Sequence, residues 1–199
     1  TTAKFVTTLG VMTNNRFHFG IGVSPWYEDF LATGERWEKR GKRMDEQITI
    51  LRGLMGGDYF GFKGDFYDIP DLKLCPVPSQ PVPILIGGHS KLALKRAAKL
   101  GDGWISAGIT LEETKDFINQ INSYREEFGT LDHPNYQFQV MGEAAYSPDG
   151  VRALEDLGAT EVIVAFRNAY EGGPDERTLD SMKAEISWYA EEVINKFRT

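Results

Sequence analysis

The chain has 199 residues, 41% hydrophobic and 26% charged, which places it among ordinary globular proteins with enough apolar residues for one substantial core. Lysine and arginine number 22 against 29 aspartate and glutamate, for a formal charge of -7 with no block of five like charges, which argues against a broad nucleic-acid surface but leaves room for an anion at a helix end. The single cysteine, Cys75, permits no intramolecular disulfide, and no apolar run approaches the ~18 residues of a membrane span, so a soluble cytoplasmic protein without membrane contact is expected.

Phe5, Leu9 and Met12 recur at helical spacing before Asn14 and Asn15 break the pattern, so the chain opens on the last turns of a helix. Residues 16–23, RFHFGIGV, alternate Phe17, Phe19, Ile21 and Val23 with small or polar residues, as a strand does, and SPWYEDFLATG reads as a loop. Trp37, Met44, Ile48, Leu51 and Met55 mark an amphipathic helix over residues 35–56. Residues 56–83, dense in glycine and proline, read as an insertion with a small hairpin around Phe60 to Tyr67.

ILIGG is then a short buried strand, residues 90–100 a helix, and GWISAG a strand bounded by glycine. Phe117, Ile118, Ile121, Tyr124 and Phe128 mark a helix, YQFQVMGEAAY a strand, residues 149–157 a short helix, and EVIVAF a strand. Leu179, Met182, Ile186, Tyr189, Val193 and Phe197 predict a long closing helix. Such alternation implies parallel strands with right-handed crossovers, in either an open doubly wound α/β sheet or part of a (β/α)8 barrel. A whole barrel takes ~250 residues, so five strand-helix units that begin on a helix tail suit the later part of one, within a single domain over residues 1–199.

A strand running into Gly87, Gly88, His89 and Ser90 and then a helix places free N–H groups and a positive dipole end at the carboxyl edge of the sheet, where phosphate binds. The same residues also describe a plain capped turn, since neither the three-glycine dinucleotide pattern nor a P-loop lysine is present. Gly20 and Gly22 leave space on a strand, for a flat ligand or for close packing of neighbouring strands. Trp26 follows at the same edge, either to stack on a ring or to anchor the fold. His18, His89 and His133 lack the spacing of a zinc helix, so no metal is expected, and His89 is the one placed to titrate beside the turn. Glu28 and Asp29 are the nearest acids, with a solvated loop pair as the simpler reading.

In order, the RFHFGIGV strand, the Arg40 to Glu46 helix segment, GDFYDIP, CPVPSQPVPILIGGHS and ALKRAAKLGDGW resemble the luciferase-like monooxygenase superfamily. Within it they look like the actinobacterial oxidoreductases dependent on the deazaflavin coenzyme F-420. The resemblance implies a (β/α)8 TIM barrel with an insertion, of which this chain carries the end of the third helix and the later five strand-helix units. It implies that Gly87, Gly88, His89 and Ser90 contact the cofactor phosphate and ribityl chain, with Gly22, Val23 and Ser24 beside the ring. No catalytic residue carries over, because the family places many of those groups on earlier strands.

The implied reaction is hydride transfer between coenzyme F-420 and a small organic substrate. An FMN-dependent monooxygenase is the alternative within the superfamily, and a noncatalytic half-barrel serving as a binding or structural module is the alternative outside it. Two open sheet edges would demand a partner or a cover, so a homo-oligomer is expected. The loops Trp26 to Gly34, Gly56 to Gln80 and Tyr170 to Asp175 are expected to shape the substrate pocket.

Overall fold

Short apolar runs that stop at or near glycine become the strands of one parallel sheet. The computed structural model describes residues 1–167 and 173–197. The order is α1 (Thr2–Met12), β1 (Phe19–Ile21), α2 (Tyr27–Thr33), α3 (Arg40–Met55), β2 (Phe60–Lys63), β3 (Asp68–Leu72), β4 (Ile84–Gly87), α4 (Lys91–Leu100), β5 (Gly103–Ile105), α5 (Leu111–Phe128), β6 (Gln137–Met141), α6 (Pro148–Asp156), β7 (Glu161–Ile163) and α7 (Leu179–Glu192). Strands β1, β4, β5, β6 and β7 lie side by side in that order, every neighbour parallel. The antiparallel hairpin β2–β3 forms a separate two-stranded sheet.

This order decides between the two architectures. A doubly wound sheet reverses its strand order and carries helices on both faces. Here the order never reverses, and the helices contact one another in sequence, α1 with α3, α3 with α4, α4 with α5 and α5 with α6. The result is an arc of barrel wall, one face covered by helices and the other concave.

The register sorts the side chains between these faces. Ile86, Trp104 and Phe138 stand in one row and, with Ile84 and Val140, enter a core made with Ile48 and Leu51 of α3, Leu94 and Ala97 of α4 and Ile121 of α5. Residues between them point the other way. Gly20, Leu85, Gly103 and Gln137 form one row of the concave face, and Gly87, Ile105, Gln139 and Glu161 the next. Gly103 cannot carry a side chain there, since a Cβ would lie 2.5 Å from the Gln137 carbonyl oxygen.

Several boundaries differ from those expected. Residues 24–34 are not all loop: Glu28 and Asp29 in the first turn and Gly34 in the left-handed conformation at the end enclose the short helix α2, which buries none of its residues. The following helix starts at Arg40 rather than 35, and Trp37 instead packs edge-on against Phe30 at 5.1 Å beneath the Arg40 guanidinium. The strand expected over 136–146 stops at Met141, and Glu143–Tyr146 form a 3-10 turn. The strand expected over 161–166 spans only Glu161–Ile163, and the last helix ends at Glu192, with a 3-10 turn over Ile194–Lys196.

Helix α1 turns the opposite face inward from the one its apolar spacing marks. Phe5, Leu9 and Met12 are exposed, whereas Ala3, Val6, Thr7 and Gly10 are buried. Small residues allow the close approach: a Cβ on Gly10 would lie 2.9 Å from Val82. The hairpin is fastened to α3 by Glu46, whose carboxylate accepts the N–H groups of Asp65, Phe66 and Tyr67.

At the amino edge of the sheet, Asp102 joins three elements. Its Oδ2 accepts the Ile84 N–H at 2.7 Å and a proton of Arg52 at 2.9 Å, and its Oδ1 lies 3.2 Å from His133 Nε2. Asp102→Ala leaves the Ile84 N–H without its acceptor at the start of β4. The variant is expected to lose about 1–3 kcal/mol of stability, measured as a lower urea midpoint with an unchanged slope.

Candidate functional site

The carboxyl ends of parallel strands are where the helix N-termini of an α/β fold converge, and there β1 and β4 bring their glycines together. The pairs Phe19 with Ile84, Gly20 with Leu85 and Ile21 with Ile86 carry Gly22 alongside Gly87. A Cβ on Gly22 would lie 3.8 Å from the Gly87 carbonyl oxygen, and one on Gly87 would lie 3.5 Å from that of Ile21, both ordinary contacts. Protein packing therefore does not require glycine at either position. Gly20 differs: its Cβ would lie 2.9 Å from Ile105 Cδ1, so close packing explains it.

Beyond Gly87 the chain must turn sharply from strand to helix. Gly88 does so at φ +118°, a conformation that disfavours other residues. Ser90 then caps α4, its hydroxyl oxygen accepting the Ala93 N–H at 3.2 Å. The N–H groups of Lys91 and Leu92 precede the first intrahelical bonds, so the positive end of α4 opens at this edge.

The turn is braced from two sides. Trp104, fully buried, donates its indole N–H to the Gly88 carbonyl at 2.9 Å. His89 Nε2 accepts the Ala107 N–H at 3.2 Å, and its ring stacks on Phe117 at 5.1 Å. With Nε2 accepting, the neutral ring carries its proton on Nδ1. Burial lowers the imidazole pKa below its ordinary value of 6.5, against an opposing pull from Glu113. His89 is thus held neutral, tying the end of β4 to the loop after β5.

The residues expected beside the ring border a different space. Gly22, Val23 and Ser24 border a cavity of about 310 Å³, which Asp29, Arg40 and Gln47 also line and which none of residues 87–90 enters. The Ser24 hydroxyl donates to Asp29 and its oxygen accepts the Trp26 N–H at 3.1 Å. The indole of Trp26 is exposed. The structure thus sets Gly22 both against Gly87 and on this cavity, turns Val23 and Ser24 toward α2 and α3, and sends His89 and Ser90 toward α4 and β5. Glu28 is exposed, and His133 lies at the far edge on Asp102. Of the loop Tyr170 to Asp175, residues 170–172 lie outside the described residues.

Trp104, Phe117 and Ala107, which fix the turn, escape a reading of the motif alone. Tryptophan one residue after the Gly-Asp-Gly turn was the available signal. Among the described residues no group of three histidine, cysteine or acidic side chains could hold a metal ion, and no helix is long and apolar enough to cross a membrane.

The model of a family described as luciferase-like monooxygenase matches residues 1–174. The chain is 44% identical over 194 residues to "Uncharacterized protein Rv0940c" of Mycobacterium tuberculosis, covering 98% of this chain and 66% of that protein. It is 32% identical to an F420-dependent glucose-6-phosphate dehydrogenase of Amycolatopsis mediterranei over 77% of this chain and 47% of the relative. It is 35% identical to an FMNH(2)-dependent dimethylsulfone monooxygenase of Pseudomonas fluorescens over 61% of this chain and 34% of the relative. The chain thus spans just under two thirds of the first of these relatives and half or less of the others. In fold it matches the coenzyme F420 dependent tetrahydromethanopterin reductase of Methanopyrus kandleri, with a TM-score of 0.73 at 14% identity, covering 99% of this chain and 79% of that one.

The lowered pKa of His89 has a measurable sign. Above its ordinary value of 6.5 the ring is neutral folded or unfolded and contributes nothing to the pH dependence. Below that value the unfolded chain takes the proton first, so folded stability falls with pH until the lowered folded pKa is passed. His89→Gln keeps an acceptor for the Ala107 N–H without titrating. Between about pH 7 and about pH 5 the melting temperature of the wild type is expected to drop further than that of the variant.

Proposed function

The chain belongs to the luciferase-like monooxygenase family, and from that premise we propose that it transfers a hydride between coenzyme F-420 and a small organic substrate. The Gly87, Gly88, His89, Ser90 turn would receive the cofactor phosphate, and Gly22, Val23 and Ser24 would border its ring. One observation carries the reading. Gly22 and Gly87 meet at the carboxyl edge with room for a side chain on each, so their smallness serves a neighbour outside the described residues.

The residues present fit such a group. The capped N-terminus of α4 offers N–H groups and dipole to an anion, and Gly88 lets the backbone approach it. Neutral His89, held by Ala107 and Phe117, fixes the turn without adding a positive charge. Bound there, a deazaflavin would supply the carbon that accepts or donates the hydride, while the protein orients it and excludes water. The relative dependent on F420 aligns over a larger share of this chain than the FMNH(2)-dependent one, 77% against 61%, which supports the deazaflavin reading. The slightly higher identity of the latter, 35% against 32%, supports an FMN-dependent monooxygenase as the second reading.

Fluorescence titration separates them. Saturable binding of F-420, stronger than that of FMN, is expected; binding of FMN alone would replace the first reading with the second. Binding of either flavin with no turnover of any substrate would instead favour a binding module. Gly87→Val tests the site, because its Cβ meets only ordinary protein contacts. The variant should keep the wild-type melting temperature and bind the flavin about ten-fold more weakly or worse, a loss of roughly 1.4 kcal/mol. Undiminished affinity in the folded variant would remove the turn from the site.

A further inference from the structure

The concave row that begins at Gly87 ends in a pair of polar side chains that the family motifs do not include. Gly87 pairs with Ile105, Ile105 with Gln139, and Gln139 with Glu161. Registered residues of parallel strands project from the same face. Phe138 and Val140, which alternate with Gln139, are buried against the helices, so Gln139 and Glu161 project from the concave side, as Gly87 does. The pair therefore shares the row of Gly87, across Ile105 from it, with Gln139 in the middle of β6 and Glu161 at the start of β7. One rung higher on that face stand Met141 and Ile163, also paired.

The hydrogen bonds of the pair determine what it can recognise. Gln139 Nε2 donates to Glu161 Oε2 at 2.7 Å and to Gln137 Oε1 at 3.3 Å. A carboxylate has no proton to give, which fixes the amide with its nitrogen toward Glu161. Both protons of the amide are thereby used. Among the described residues neither Gln139 Oε1 nor Glu161 Oε1 receives a hydrogen bond. Glu161 is exposed and Gln139 half-buried, so both free oxygens can be reached. Acceptors and one negative charge are what the pair presents, beside the apolar side chains of Ile105, Met141 and Ile163.

We propose that Gln139 and Glu161 anchor the substrate, selecting a small molecule with an apolar body and a hydrogen-bond donor, a hydroxyl or an ammonium, and disfavouring one that offers only acceptors or a negative charge. This rests on reading the concave face as the ligand side of the site. A bound molecule covers these acceptors and strips them of water, so one that offers no donor leaves them unpaired at a cost, and the wrong functional group is rejected more strongly than an extra methylene would be. The polar group of the substrate would be held at β6 and β7, with its apolar body toward Ile105 and the glycines.

Four probes on one ring test this: cyclohexanol, cyclohexylammonium, cyclohexanone and cyclohexanecarboxylate, titrated by NMR into the protein without any flavin. Cyclohexanol and cyclohexylammonium are expected to bind about ten-fold tighter than the ketone and the carboxylate. Glu161→Gln should remove about ten-fold of the preference for the ammonium and admit the ketone. Gln139→Met, which deletes one acceptor and frees the carboxylate, should weaken cyclohexanol alone among the two donors and serves as the second variant should the first not fold. Equal binding of all four probes, no binding of any, or a variant that lowers the melting temperature while leaving the preference unchanged would overturn the proposal. Because no cofactor is present, such a result with flavin binding at Gly87 intact dismisses the anchor alone, whereas failure of flavin binding with the preference intact dismisses the cofactor reading alone.

Discussion

The parallel pairing of β1 with β4 determines what can lie at the carboxyl edge. These two strands are separated in sequence by α2, α3 and the β2–β3 hairpin, yet their register sets Ile21 against Ile86 and so carries Gly22 to Gly87. A shift of β1 by one residue would turn Gly22 and Ile21 to the wrong faces, burying a gap among the helices and exposing an isoleucine. The apolar residues facing α3 and α4 hold the register, and the glycines on the other side follow from it. Core packing thus positions a candidate site whose own residues contribute little to the core.

The two edges of the sheet divide the work between them. At the amino edge, Asp102 joins β4 and α3 through hydrogen bonds to one carboxylate oxygen, while the other lies against the His133 ring. At the carboxyl edge, hydrogen bonds stiffen the turn through the Gly88 carbonyl and the His89 ring, while the helix end and the faces of Gly22 and Gly87 stay open. A rigid turn with open N–H groups is pre-organised for an anion, since little conformational freedom is lost when one binds. The cavity beside Val23 and Ser24, reached from α2 and α3, adds a second open space on the same edge.

Local pattern carried much of the fold. The unit β4–α4 was legible because three apolar residues, a glycine turn, a serine cap and an amphipathic decamer follow one another without interruption. Helix α2 was not, because seven residues that bury nothing leave no apolar stripe; its marks were Glu28 and Asp29 at one end and Gly34 at the other. In α1 the apolar stripe named the wrong face, since close packing there is made by Ala3, Val6, Thr7 and Gly10. The glycines of the candidate site were visible as residues, but their meeting depends on a strand pairing across two helices and a hairpin. Gln139 and Glu161 were hidden differently: the segment from 136 to 141 reads as a strand through its apolar half, and the polar half gains meaning only from its register with β7.

Chemical-shift mapping tests the central claim, that the joined ends of β1 and β4 are where the ligand sits. In 15N-labelled protein titrated with F-420 or FMN, the largest amide shifts are predicted at Gly22, Val23 and Ser24 and at Gly87 through Lys91, with Ala107 following through His89. Shifts concentrated near Asp102 and His133 at the opposite edge, or absent from both glycines at saturation, would contradict it.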